Sequence, residues 1–557
     1  MDQHGCGEND PNGPVFDPVH GVFHHFYQIH LAAPPGFGAD YGHFVSKDFI
    51  HWAAMPVAIW NGLDASVWPP RATSYDSNAI FTGSALVLEG AGPKGSRGIV
   101  QIYPGLCNAR DWPGCETGTL LAQAVPADYA SDVLLTNWTK PSYNPIMENT
   151  QRDPSTPWQT PTGEWRLRTY DSRIYGAANA SEILHGRWYE IGKSESLRTC
   201  ECPSVYPLPP PTAGRESETA YAAAMATGGS ALPTHVHKTS CGGDFWQLGT
   251  YDAGPRHTTG TFSPTAGWED TFAQRRIDHG RFYASKDSIY PTLGSSKLRR
   301  INWGWAQVPP QGAQTLPREI TFNAAARQLE QAPIAELAGL RLPAAFGPSS
   351  SPIAVPSGRP FVLPVRSADL VHSELVLEFE RPMAGSFGED GVVLGIVAGP
   401  LATSVGRGAT VGALREVIGD APTVEPTAEA TPDLAPDSTM QCTVHYTSPA
   451  NVSAPFHEVP VSCGGTHDKL RLLQSESTIS LRVFFDATML EAYFQNGRVA
   501  ITEAISLSRG TPGSQVAVTA RARLGFKATL MSAALYPMKS IWTTPDVVRQ
   551  APRIYDV

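Results

Sequence analysis

The chain has 557 residues, 41% of them apolar, with 42 basic and 52 acidic side chains giving a net charge of −10. That length and apolar content suffice for more than one core. No uninterrupted apolar run of roughly 18 residues occurs, which excludes a membrane-spanning helix, and the mild acidity without a basic cluster excludes nucleic acid as a partner.

The opening residues, MDQHGCGEND, show no basic stretch leading into an apolar one, so no signal peptide is read. Glycine (51) and proline (49) punctuate short aromatic and β-branched runs throughout, the pattern of an all-β chain. In chain order the first strands are GVFHHFYQI, AIFTGSALVL, GIVQIY, EWRLRTYD, DFWQLGTYD, GRFYASKD and INWGWAQV. So many short strands exceed one simple sandwich and favour a radial arrangement such as a propeller. GHFVSKD (42–48) and GRFYASKD (280–287) look like one strand-turn element repeated, as blades would be.

After LPREITFN, the stretch AAARQLEQAPIAELAGL reads as a helical connector. The predicted boundaries are therefore a first domain over 1–322, a linker over 323–344 and a second domain over 345–557. In the last, FVLPVR, SELVLEFE, GVVLGIVA, QCTVHYTS, TISLRVFFDAT, LEAYFQNGRVAIT, SQVAVTARA and KATLMSAALYPM alternate as strands of a β-sandwich do, with Asn496-Gly497 as a hairpin turn. Two low-complexity segments interrupt the order: an exposed insertion at 207–233 and a disordered loop near 419–438.

Eight cysteines are too few for a disulfide scaffold, and no paired CxxC suggests structural zinc. Cys442 with Cys463, and Cys107 with Cys115, have spacings that a bridge could close; buried free thiols are the other reading. Sixteen histidines include His24-His25 and the pair His235 and His237, but no HExxH, so no metal site is expected. Trp52, Trp60, Trp68, Trp303 and Trp305 could stack on sugar faces, with core packing the default. Sequons at Asn137, Asn179 and Asn451 suit a secreted or vacuolar glycoprotein.

Three acids are followed by proline at once or after one residue: Asp10 in ENDPNG, Asp153 in QRDPSTPW and Glu201 in TCECPSVYP. Proline pushes a preceding residue toward extended backbone and ends regular pairing, so such a side chain projects from a strand end or turn. Singly each is an ordinary turn. Two carboxyl groups suffice to break a glycosidic bond, one as nucleophile or base and one as acid, and a third can hold sugar hydroxyls. Arg152 beside Asp153 would favour its ionised form, and the apolar neighbours of Glu201 its protonated one.

NDPNG, RDP and EC, in this order, resemble the signature motifs of glycoside hydrolase family 32, the β-fructofuranosidases, which include invertases and fructan hydrolases. HHFYQ, YGHFVSKDFIHW, FTGSA, FYASKD, RRINWGW, LPREI and FFDATMLEAYFQNGRVAIT agree along nearly the whole chain. The resemblance implies a five-bladed β-propeller followed by a β-sandwich, and cleavage of terminal β-fructofuranosyl units with retention. It assigns Asp10 as nucleophile, Glu201 as acid/base and Asp153 as transition-state stabiliser. Asn9, Gln28, Phe81, Ser84 and Arg152 fall at substrate-binding positions. It implies no cofactor and fructosides such as sucrose or fructans as partners. The alternatives are a fructosyltransferase using the same intermediate and a non-catalytic fructan-binding protein. Three departures stand out: Gly7-Glu8 replaces the family's aromatic approach to the first motif, Tyr41 replaces a tryptophan, and HKTSCGGDFWQLGTYD lacks in register the Asp/Lys pair that goes with sucrose in plant members.

Overall fold

The apolar runs between glycines and prolines become antiparallel strands, grouped in a computed structural model that describes residues 7–31, 38–64, 71–108, 110, 112, 115–210, 232–265, 275–349, 351–400, 439–449, 454–507, 514–523 and 525–556. Residues 211–231 of the insertion, the loop near 419–438 and the sequon at Asn451 lie outside the described residues. The chain divides into two units, Met1–Leu340 with Ser540–Val557, and Arg341–Lys539.

The first unit contains five successive sheets of four or five strands, the blades of a five-bladed propeller. The first sheet runs in the order Gly7–Pro11, Val22–His30, Asp40–Ser46, Ala53–Ile59. VFHHFYQI is buried along its whole length because both faces of the sheet are covered by neighbours. The later sheets open with Ser84–Glu89 beside Ala79–Ile80, then Trp158–Gln159, Glu201–Pro207 and Phe282–Pro291. The first and fifth sheets meet through Glu8 N donating to Gln311 O (3.0 Å) and Gln314 Nε2 donating to Asn9 O (2.6 Å).

Two expectations change here. GHFVSKD lies on the third strand of its sheet and GRFYASKD on the first strand of another, so their likeness is not a blade repeat. AAARQLEQAPIAELAGL is not a helical linker: Gln328–Pro333 pairs with Arg318–Asn323 to complete the fifth sheet, and only Ala335–Leu340 turns, as a 3-10 helix. Alanine's helix propensity is overridden by that pairing and by Asn323 Oδ1, which accepts from Ala326 N at 2.9 Å to close the hairpin.

The last residues also depart from the predicted 345–557 domain, since Ser540–Val557 belongs to the first unit. Trp52 N donates to Ile541 O (2.8 Å) and Thr543 N returns to Trp52 O (2.9 Å). Thr544 caps the helix Pro545–Gln550, and Lys47 Nζ donates to the carbonyls of Arg549 (3.1 Å) and Ala551 (2.6 Å) at its far end. Tyr555 is buried and donates to Glu336 at 2.9 Å.

The second unit is a sandwich of two six-stranded antiparallel sheets. Alternating residues Leu375, Leu377 and Phe379 of one sheet and Leu394, Ile396 and Ala398 of the other fill a common core. Asn496 and Gly497 both have positive φ (57° and 84°) at the hairpin between Met489–Phe494 and Val499–Ala504, the geometry an Asn-Gly turn provides. Cys107–Cys115 and Cys442–Cys463 are disulfides, and so is Cys200–Cys241, a pair the spacing did not suggest.

Candidate active site

The residues singled out from sequence converge because they sit on or beside the opening strands of different sheets. Asp10 lies where Gly7–Pro11 loses register against Val22–His30, between Glu8 and Pro11. The irregularity frees the carboxylate from the ladder and aims it at the second sheet. Gly13 has φ +60°, and a Cβ there would lie 2.5 Å from Ala85 N, so only glycine lets the turn approach that sheet.

Asp10 Oδ2 accepts a short hydrogen bond from Thr82 Oγ1, which in turn accepts from Gln28 Nε2 at 2.6 Å. Burial pushes Asp10 up to about 7, with Asp153 and Glu201 adding to the rise and Thr82 and Lys286 opposing it.

Asp153 is buried and has φ +60°, not the extended backbone expected before proline. The segments on either side of it are tied to the third sheet: Ser155 N donates to Arg168 O (2.8 Å) and Tyr170 N to Arg152 O (2.9 Å). These anchors over-determine the intervening residue and hold it in the left-handed region, a strained geometry concentrated at functional sites. Its Oδ2 accepts from Cys202 N at 3.2 Å, and burial raises it to about 6.

Glu201 opens its strand beside the Cys200–Cys241 bridge. Its Oε1 accepts from Arg152 Nη2 (2.5 Å) and its Oε2 from Tyr283 Oη (2.5 Å). Arg152 engages Glu201 and also stands 3.9 Å from Asp153, whose ionised form it favours as expected although burial outweighs it; the expectation of apolar surroundings for Glu201 is corrected, since its partners are polar. Arg152 also lies over the Tyr170 ring at 4.5 Å.

The expected sugar-binding residues are placed as follows. Asn9 is half-buried with its carbonyl taken by Gln314, and Gln28 is buried on Thr82. Ser84 is fully buried, and its Oγ donates to Pro154 O at 2.7 Å. Phe81 is half-buried and its carbonyl accepts from Tyr41 Oη at 2.8 Å. Gly7 has no side chain and Glu8 is buried, so neither supplies the missing aromatic wall. A Lys–Asp pair does exist in the fourth sheet, Lys238–Asp244 at 3.2 Å, but both are buried and serve backbone: Lys238 donates to Cys202 O and Ser285 O, and Asp244 accepts from Ala284 N and Ser285 N.

Thr82, Tyr283, Cys202 and Lys286 were not chosen from sequence. Thr82 lies in FTGSA, where nothing local sets its hydroxyl apart from that of Ser84. Trp52 and Trp303 are core, ring centroids 5.6 Å apart. His24 bonds His43 (2.9 Å), His25 bonds Gln314 (3.0 Å) and His237 bonds Arg168 (2.9 Å); burial lowers His24 to about 4 and His25 to about 3. Among the described residues, no group of three or more His, Cys, Asp or Glu could hold a metal ion.

Five sheets delivering three carboxylates, a guanidinium and hydroxyl donors to one place define a glycosidase-type site on a propeller. The sequence comparisons carry this further. The profile for "Glycosyl hydrolases family 32 N-terminal domain" matches residues 7–333 and that for "Glycosyl hydrolases family 32 C terminal" matches 436–520. The chain belongs to glycoside hydrolase family 32.

It is 31% identical over 361 residues to an insoluble β-fructofuranosidase isoenzyme of Arabidopsis thaliana, covering 60% of this chain and 58% of that one. It is 30% identical over 371 residues to a fructan 6-exohydrolase of Triticum aestivum, covering 60% and 56%. The matched region thus spans under two thirds of these relatives. Among solved structures, fructan 1-exohydrolase IIa of Cichorium intybus superposes with a TM-score of 0.66 at 20% identity, covering 98% of this chain and 97% of that one. An exo-inulinase of Aspergillus awamori gives 0.63 at 16% identity, covering 97% and 98%. These two likenesses establish the shared fold.

Proposed function

We propose that this protein is a retaining glycoside hydrolase that releases terminal β-D-fructofuranosyl units from sucrose or fructans. The observation that carries the reading is the gathering of Asp10, Asp153 and Glu201 from three sheets, each with hydrogen-bond partners of its own. Asp10, aligned by Thr82 and Gln28, attacks the anomeric carbon. Glu201, placed by Arg152 and Tyr283, protonates the departing oxygen and then takes the proton of the incoming water. Asp153 binds ring hydroxyls and balances the positive charge that develops on the sugar. The Arabidopsis and Triticum relatives carry the names of the two substrate preferences open to this chain, a β-fructofuranosidase and a fructan exohydrolase. Three disulfides among the described residues fit an oxidising compartment, in line with relatives named as an insoluble isoenzyme and as vacuolar.

Incubation with sucrose, inulin and levan tests the reading. Equal glucose and fructose from sucrose, or fructose alone from a fructan, is the expected result. Excess glucose with trisaccharide would mark a transferase, and binding without release of reducing sugar would defeat the catalytic reading.

Thr82→Val should lower kcat/KM about 10- to 100-fold, since a hydrogen bond to a charged group contributes roughly 1.5–3 kcal/mol. Thr82 opposes the rise in the Asp10 pKa, so the acid limb of the pH profile should also move upward. Unchanged kinetics would remove Thr82 from the machinery.

A further inference from the structure

Lys286 is used by none of the steps above. It lies on Phe282–Pro291, three residues beyond Tyr283, and is 4% exposed. Its Nζ donates to Ser84 Oγ (3.2 Å) and Pro154 O (3.1 Å), while Ser84 Oγ donates to the same carbonyl. The bracket ties the second and fifth sheets to the residue that follows Asp153. Burying an ammonium costs several kcal/mol unless nearby negative charge compensates.

Asp153 and Asp287 supply such charge, although burial still lowers the lysine overall. The other nearby cations have partners: Arg152 is shared between Glu201 (2.5 Å) and Asp153 (3.9 Å), Lys238 pairs with Asp244, and Arg300 with Asp287 at 3.0 Å. Lys286 in turn lowers the Asp10 carboxyl, and it lowers that of Asp153 ahead of Arg152. Facing the pair from the packed elements are Glu201 and Cys202, Arg152, Tyr41, Lys238 and Asp244, with Tyr283 and Asp287 on the lysine's own strand. Burial keeps the Cys202 thiol and the Tyr41 and Tyr283 phenols neutral by raising each of them.

We propose that Lys286 is a positioning residue for the reaction: from its bracket on Ser84 and Pro154, it supplies the fixed positive charge that lets Asp10 and Asp153 stand ionised side by side while Arg152 is engaged by Glu201. The inference rests on the fructoside-cleaving reading of the same site. It adds a role that neither acid chemistry nor sugar contact requires.

The test compares pH profiles of kcat/KM for fructose release by the full-length wild type, Lys286→Gln and Ser84→Ala. Glutamine keeps a donor on a shorter arm and loses the charge; alanine at 84 loses the hydroxyl and keeps the charge. Lys286→Gln should lower kcat/KM about tenfold or more and move the acid limb upward by about one pH unit, while Ser84→Ala leaves the limb in place. An unmoved limb in Lys286→Gln overturns the proposal, and so does an equal displacement in Ser84→Ala, which would mark packing alone. If Lys286→Gln does not fold, Lys286→Arg carries the test: its limb should match wild type, and a displaced limb overturns the proposal.

Infrared titration of the protonated-carboxyl band needs no substrate. An upward shift in Lys286→Gln, in a protein whose wild type cleaves no fructoside, supports the charge role and defeats only the fructoside reading. Absence of any shift defeats the charge role whatever the activity.

Discussion

Asp10→Asn should reduce fructose release by at least about 10⁴-fold, because the variant has no nucleophile for the glycosyl intermediate. It should also make the folded protein more stable at pH 7. Burial raises the Asp10 carboxyl from its ordinary 3.8 to about 7. Well below pH 3.8 the carboxyl is protonated in both folded and unfolded states and carries no penalty. As pH rises toward 7 the unfolded chain gives up the proton first, so stability is lost across that window.

Asparagine removes this loss, worth on the order of 2–4 kcal/mol at pH 7 and only about 0.5 kcal/mol at pH 4. Chemical denaturation of both proteins at the two pH values measures the difference directly. A variant that is less stable at pH 7, or equally displaced at both values, would show that Asp10 is not a strained charge. Near-normal turnover would remove it as nucleophile.

The strain also explains how much of the site can be read from the chain. Asp10, Asp153 and Glu201 were legible because proline punctuates each one and because three such acids in an all-β sequence call for a common purpose. Their partners were not. Thr82 is 72 residues from Asp10 and Lys286 is 202 from Ser84, so nothing local distinguishes them from any other strand residue. The local rule even misled at Asp153, where proline predicts extended backbone and the flanking hydrogen bonds impose φ +60°.

Similar reasons divide the fold. Alternating strands, the Asn496-Gly497 hairpin and the passage from propeller to sandwich were readable as period and punctuation. The alanine-rich hairpin at 324–333 read as helix because propensity is local and pairing is not. The return of Ser540–Val557 to the first unit depends on contacts such as Lys47 with Ala551, 504 residues apart, and no pattern within the tail announces them.

Glu201→Gln should separate the two halves of the reaction. Glutamine is nearly isosteric: its carbonyl can accept from Arg152 and its amide can donate to Tyr283, whose hydroxyl reverses role, so the variant should fold as wild type does. What it lacks is a transferable proton. Sucrose cleavage, which needs that proton on the departing glucose oxygen, should fall about 10²- to 10⁴-fold.

A β-fructofuranosyl fluoride needs no such proton, because fluoride leaves as the anion. Asp10 should therefore still attack it, giving a burst of fluoride that stops near one equivalent, since no base remains to activate water. Azide, already a strong nucleophile at neutral pH, should restore turnover and yield the β-fructosyl azide, the configuration that two successive inversions require. An α-azide would mean a single displacement and would overturn retention. Rescue in Asp10→Asn in place of Glu201→Gln would reverse the two assignments. Near-normal sucrose cleavage by Glu201→Gln would place the proton donor elsewhere, with Tyr283 the next group to test because its hydroxyl lies in the same hydrogen-bonded chain.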